Sequence, residues 1–202
     1  LDYTDSSCPA LLLEPQRRNN IPHSEYFDDW SKGGSGGSIT MNYGISPEGL
    51  QNATRFQAGG SARYVIYKTI SSVSSGKTYN ISLYAKSLSG TQKIRIGADN
   101  GCVNPQGAET FEVNETWKRI DTNIASTASQ WNVFIDNIES GILCTGTALS
   151  ADLLIYGFQV EDDGAGNGTS YATSYIPTYG SAVTRNADSA TAADQINNQT
   201  AF

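Results

Sequence analysis

The only histidine of the chain is His23, and its three cysteines lie far apart at Cys8, Cys102 and Cys144. Imidazole-assisted nucleophilic catalysis needs a His within reach of Ser or Cys, and His23 beside Ser24 is a weak form of that pattern, read as an ordinary turn histidine. One His and scattered Cys give none of the ligand spacings of a zinc site. Paired carboxylates could cleave a glycosidic bond, and the chain carries Asp28-Asp29 and Asp162-Asp163. Neighbours along a strand point to opposite faces, so neither pair can flank a bond by itself, and both read as solvated turn carboxylates. Recognition without bond breaking is the chemistry that remains. Sugar binding needs flat apolar surface for the pyranose faces and fixed donors and acceptors for the hydroxyls. Tyr84, Arg95, Asn132, Phe134 and Asp136 supply both, and all fall on outward positions of three expected strands. Side by side, those strands would line one groove. Trp131 is the alternative platform if its strand takes the reversed register, and an ordinary polar sheet surface with scattered aromatics is the competing interpretation.

These residues need strands to position them. Residues 77–88 alternate Tyr79, Ile81, Leu83 and Ala85 with Asn80, Ser82, Tyr84 and Lys86, the period of a strand buried on one face. Residues 92–98 repeat it with Ile94 and Ile96 inward and Lys93 and Arg95 outward, so the two segments are expected to pair as an antiparallel hairpin across Ser89-Gly90. Residues 130–138 place Trp131, Val133 and Ile135 on one face and Asn132, Phe134 and Asp136 on the other. A Phe between two hydrogen-bonding residues suits a shallow ligand groove, or a face that a loop covers. Further strands are expected at 24–30, 38–43, 54–57, 62–70, 109–113, 116–124 and 153–160, with a polar loop over 97–107. Trp117 reads as a sheet-packing residue. The tract Gly33-Gly34-Ser35-Gly36-Gly37 lacks the Lys-Ser/Thr and helix of a phosphate loop, so it reads as a turn. About ten short strands with Gly, Asn and Ser turns and no helical period indicate an all-β, antiparallel β-sandwich, with a jelly roll as the leading topology.

Composition agrees and excludes some partners. The 202 residues are 38% hydrophobic and only 16% charged, with 20 Gly and 11 Tyr. Thirteen Lys and Arg against 20 Asp and Glu leave a net charge of -7, which argues against nucleic acid and anionic lipid as partners. No apolar run is long enough to cross a bilayer, so no membrane insertion is expected. Three cysteines allow at most one internal bridge: Cys102 with Cys144, or three reduced thiols.

Two strings at opposite ends carry a resemblance. Leu11-Leu12-Leu13-Glu14-Pro15-Gln16-Arg17, followed by Asn19, Tyr26-Phe27 and Trp30, stands at one end. Gln159-Val160-Glu161, Ser170-Tyr171-Ala172-Thr173-Ser174-Tyr175-Ile176-Pro177-Thr178 and Ala182-Val183-Thr184-Arg185-Asn186-Ala187-Asp188 stand at the other. Together they resemble a module recurrent in bacteriophage and prophage tail-fibre and virion proteins, with Arg18 and Asn20 standing where Thr and Leu are common. The resemblance implies a jelly roll of the galactose-binding-like or carbohydrate-binding-module-like kind. One module over 1–188 is expected, with an extended lead-in (1–23) and exit (161–188); Pro177 and Gly180 disfavour helix in the exit, so its aromatics Tyr171, Tyr175 and Tyr179 are expected to lie buried on the sheet. Residues 189–202 are then a linker to a downstream domain. In such jelly rolls a structural calcium often joins the two ends, and Glu25, Asp28, Gln159, Glu161 and Asp162 are the oxygen ligands so implied. The function implied is non-catalytic attachment to a host cell-surface polysaccharide or glycan, in the virion. A homotrimer held by flanking domains is the expected assembly, with no organic cofactor. The alternatives are a structural spacer in a trimeric fibre and a secreted carbohydrate-binding module of a polysaccharide-degrading enzyme.

Overall fold

A computed structural model describes residues 13–99, 105–139 and 145–189. The three cysteines and residues 190–202 of the expected linker lie outside the described residues. The strands are β1 (Arg17–Asn19), β2 (Ser31–Gly34), β3 (Gly37–Gly44), β4 (Ala53–Gly59), β5 (Tyr64–Ile70), β6 (Thr78–Ser87), β7 (Gln92–Asp99), β8 (Pro105–Val113), β9 (Lys118–Ala125), β10 (Trp131–Asp136), β11 (Ser150–Asp162) and β12 (Val183–Arg185). They form an all-β, jelly-roll sandwich of two antiparallel sheets. One sheet runs β2-β5-β10-β7-β8. The other is built on the long β11, which pairs β6 and then β9 along one edge and both β4-β3 and β1-β12 along the other.

The alternating faces of the sequence meet between the sheets. Tyr79, Ile81, Leu83 and Ala85 of β6, Leu153, Ile155, Phe158 and Val160 of β11, and Ile94, Ile96, Trp131, Val133 and Ile135 from the five-stranded sheet are all buried in one core cluster. The expected 77–88/92–98 hairpin does not form, because β6 pairs with β11 and β9 whereas β7 pairs with β10 and β8. Each strand buries its apolar side, but the turn between them crosses from one sheet to the other. Residues 24–30 are also not a strand: Phe27–Asp29 form one 3-10 turn that packs Phe27 on Trp30 and Trp30 on Phe158, and the chain then enters β2. The expected 97–107 loop is shorter, since β7 continues to Asp99 and β8 starts at Pro105.

Residues 14–20 and 159–185 form one structural unit. Arg18 pairs with both Asp162 and Thr184, so β1 lies between the end of β11 and β12. Buried Asn20 donates its Nδ2 to Asp162 Oδ2 at 2.9 Å, and Arg185 meets Glu14 at 2.6 Å. The exit segment is strapped to the sheet by side chains from both ends: Gln159 Oε1 accepts Ile176 N at 2.7 Å, Glu161 accepts Thr173 N at 3.0 Å, and Asn19 donates to Ile176 O at 2.9 Å. Of its aromatics only Tyr175 packs inward; Tyr171 and Tyr179 stay exposed. Tyr175 is seated by Gly157, where β11 bulges with φ 65°; a Cβ there would stand 3.1 Å from the Tyr175 ring.

Candidate functional site

β10 lies between β5 and β7, with Phe134 opposite Tyr67 and Gly97, and Asn132 opposite Thr69 and Asp99. Since Trp131, Val133 and Ile135 fill the core, alternation turns Asn132, Phe134 and Asp136 to the outer face of the five-stranded sheet. There Asn132 and Phe134 join Val65 and Tyr67 of β5, Asp99 of β7, Arg63, and the side-chain-free Gly33 and Gly34 of β2 around a recess of about 340 Å³, with Asp136 enclosed outside its lining.

The foundation of this recess is a buried charge cluster. Asp136 is fully enclosed and accepts Arg95 Nε at 2.9 Å, Arg95 Nη2 at 2.7 Å and Arg63 Nε at 2.7 Å. It also accepts Ile138 N at 3.2 Å. Both guanidinium groups stand over the Phe134 ring, 5.7 Å away for Arg63 and 5.5 Å for Arg95. Phe134, Asp136 and Arg95 are therefore floor and foundation, all but closed to solvent. The surface a ligand could touch is formed by the half-buried Tyr67, Arg63 and Asn132, with the glycine rim of β2. Asn132 is fixed by two bonds: its Oδ1 accepts Thr69 Oγ1 at 2.8 Å and its Nδ2 donates to Asp99 Oδ1 at 3.2 Å. Tyr67 and Arg63 escaped the sequence reasoning. The signal for Tyr67 was present, because Val65 and Tyr67 alternate with the inward Tyr64 and Ile66. Arg63 precedes its strand and carries no such mark.

Two expected ligand residues lie elsewhere. Trp131 is wholly buried against Tyr79, with ring centroids 5.3 Å apart, so it presents no face to a ligand. Tyr84 belongs to β6 and thus to the other sheet, where Arg119 stands 5.4 Å over its ring and Tyr156 and Tyr175 border it. Trp117, half-buried, donates its indole N–H to Ile45 O at 3.2 Å. His23 is 3.6 Å from Asp29 and edge-on to Tyr26, while Asp29 is held below the usual carboxylate range chiefly by its hydrogen bond from Lys68.

The five implied calcium ligands do not fit one ion as a set. Gln159 and Glu161 are used by the exit strap, Asp162 by Asn20 and Gly164, and Asp28 by Lys32 at 3.0 Å on the surface. Among the described residues no three His, Cys, Asp or Glu side chains gather as a metal site. Glu25 has different company. Its Oε1 accepts Tyr175 OH at 3.0 Å and its Oε2 accepts Asn52 Nδ2 at 3.4 Å. The buried oxygens of Asn52 (Oδ1) and Tyr156 (OH) have no hydrogen-bond partner. Burial, then the nearby carboxylates of Glu48 and Glu25, push the Tyr156 hydroxyl well up from its usual value, and burial does the same to Tyr175.

No family model and no curated protein matches the chain. Several solved structures are similar in fold. A bacteriophage CBA120 tailspike protein 4 enzymatically active domain superposes with a TM-score of 0.48 at 12% identity, covering 70% of this chain and 21% of its own. TmCBM61 in complex with β-1,4-galactotriose gives 0.47 at 14% identity over 70% of this chain and 97% of that one. The family 11 carbohydrate-binding module from Clostridium thermocellum, in complex with a β-1,3-1,4-mixed-linked tetrasaccharide, gives 0.44 at 12% over 72% and 94%. The chain thus spans about a fifth of the tailspike domain's length and matches the two modules over nearly all of theirs.

Proposed function

We propose that the chain is a non-catalytic glycan-binding module whose saccharide lies across the outer face of the five-stranded sheet, between β2, β5 and β10. The observation that carries this is Tyr67, half-buried with part of its surface open beside Arg63 and Asn132 and facing a rim without side chains. A tyrosine ring offers a pyranose an apolar face, while an amide and a guanidinium already fixed by neighbours offer hydrogen bonds at little entropic cost. Affinity electrophoresis through a panel of bacterial and algal polysaccharides tests it. Retardation by at least one polymer, lost in Tyr67→Ala and weakened in Asn132→Ala with the thermal midpoint unchanged, is the expected result. Retardation by none, or retardation insensitive to both substitutions, refutes it.

The setting belongs to the same proposal: a tail-fibre or other virion protein of a phage or prophage, trimeric through flanking domains and attaching to host cell-surface carbohydrate. Its support is that the two terminal strings, far apart in sequence, form one sheet segment, β11-β1-β12. Flanking coding sequence decides the matter, because fibre domains fit a virion and a glycoside hydrolase or lyase domain fits a secreted enzyme.

A structural calcium is also proposed, with Glu25 kept and its partners changed to Glu48 and Asn52. Two carboxylates, a partnerless amide oxygen and a buried phenol oxygen suit a hard cation, which would tie the N-terminal segment to the 45–52 turn.

A further inference from the structure

A second recess lies on the other side of the sandwich, where the exit segment crosses the start of β6. It measures about 510 Å³ and is lined by Arg17, Lys77, Thr78, Asp163, Thr169 and Tyr171, among others. Its wall is fixed by close packing: Asp162 bridges Gly168, and a Cβ on Gly168 would fall 1.6 Å from Thr78 O, so only glycine lets the 163–168 loop lie on β6.

The polar groups here are poorly used by the protein itself. Arg17 is 93% buried (7% exposed), and its guanidinium stands 4.8 Å over the Tyr171 ring. Its Nη1 donates to Gln16 O at 3.0 Å, its Nε is buried without an acceptor, and among the described residues it enters no ion pair. Lys77 is exposed and also forms no ion pair among the described residues. Thr169, 92% buried (8% exposed), carries a hydroxyl with no partner. The one carboxylate of the recess, Asp163, is turned into its own loop: Oδ1 accepts Ala165 N and Asn167 N at 2.9 Å, and Oδ2 accepts Asn167 Nδ2 at 2.9 Å. Two cations thus face the recess against one occupied carboxylate, in a chain whose net charge is -7. Beside them Tyr171 is 52% exposed.

We infer that this recess is a second binding site, for an anionic group carried on a sugar. Arg17 and Lys77 would take the anion through charge-assisted hydrogen bonds, and Tyr171 would take the ring that bears it. The anion is either a uronate carboxylate or a sulfate ester. This site shares only the saccharide class with the function proposed above, and uses neither the same sheet nor the same residues.

The experiment compares binding of the full chain to polygalacturonate, dextran sulfate and neutral dextran, for the unaltered protein, Lys77→Gln, Tyr171→Ala, Arg17→Gln and Tyr67→Ala. Binding to at least one acidic polymer and not to dextran, roughly tenfold weaker in Lys77→Gln and Tyr171→Ala and falling with added salt, is expected. The acidic polymer preferred identifies carboxylate or sulfate as the source. Tyr67→Ala should leave this binding intact. Lys77 and Tyr171 are exposed, so their variants report on the site even if Arg17→Gln fails to fold. Acidic and neutral polymers binding alike, or acidic binding lost in Tyr67→Ala and kept in Tyr171→Ala, overturns the inference. Neutral-glycan binding that depends on Tyr67, with none to acidic polymers, ends this site and leaves the first. Acidic binding that depends on Tyr171, with no neutral glycan bound, does the reverse.

Discussion

Asp136→Ala removes a carboxylate that Arg63 and Arg95 share beneath the recess. The Asp136 side chain is 0% exposed and that of Arg95 3%, so the substitution takes from a buried guanidinium the carboxylate that holds it by two hydrogen bonds. Breaking a buried pair from one side costs about 3–5 kcal/mol. For a chain of this size each kcal/mol moves the midpoint by roughly 2–4 °C, so a fall of roughly 6–20 °C follows. The Arg55–Asp152 pair is the internal comparison. Its N–O distance is the same, 2.7 Å, but its side chains are 25% and 35% exposed, and Asp152→Ala should cost less than about 1 kcal/mol. Urea unfolding of the two variants, with unchanged slope, measures both costs. Arg95→Met combined with Asp136→Leu should recover part of the loss, because charge and counter-charge leave together. An Asp136→Ala cost no larger than that of Asp152→Ala would refute the view that the recess stands on a buried charge cluster.

Gly157→Ala should cost about 1–3 kcal/mol by forcing a side chain into φ 65° against Tyr175, measured by the same unfolding; an effect under a few tenths would show that the bulge is not required. Tyr156 and Tyr175 have raised values in the fold, so their contribution is complete below the unfolded tyrosine value of about 10 and is lost as pH rises beyond it. In an ultraviolet titration these two should ionise only with unfolding, whereas a single smooth ionisation near pH 10 in the folded chain would contradict their burial. Calcium should raise the thermal midpoint of the unaltered protein and not of Glu48→Gln; equal response, or none, removes the ion from Glu25, Glu48 and Asn52.

The inward faces of the strands were readable in the sequence because alternation records burial directly. Tyr79, Ile81, Leu83 and Ala85 of β6 are core residues as their period implied. Alternation says nothing about which sheet a strand joins, and for that reason β6 and β7 read as a hairpin and Tyr84 as a neighbour of Phe134. Burial of the outer face was hidden for another reason. Arg95 and Asp136 occupy outward positions, but they neutralise each other and cover Phe134, an arrangement between residues distant in sequence that no local pattern encodes. The calcium set failed similarly: Gln159 and Glu161 do sit where the chain ends meet, but they bind the backbone of the exit strap.

The most direct test is amide hydrogen exchange with a saturating concentration of an oligosaccharide drawn from the polymer that retards the protein most. Added protection confined to residues 31–34, 63–69 and 131–134, and absent in Tyr67→Ala, is the predicted result. Protection elsewhere, with those three segments unchanged, would contradict a saccharide lying across the outer face of the five-stranded sheet.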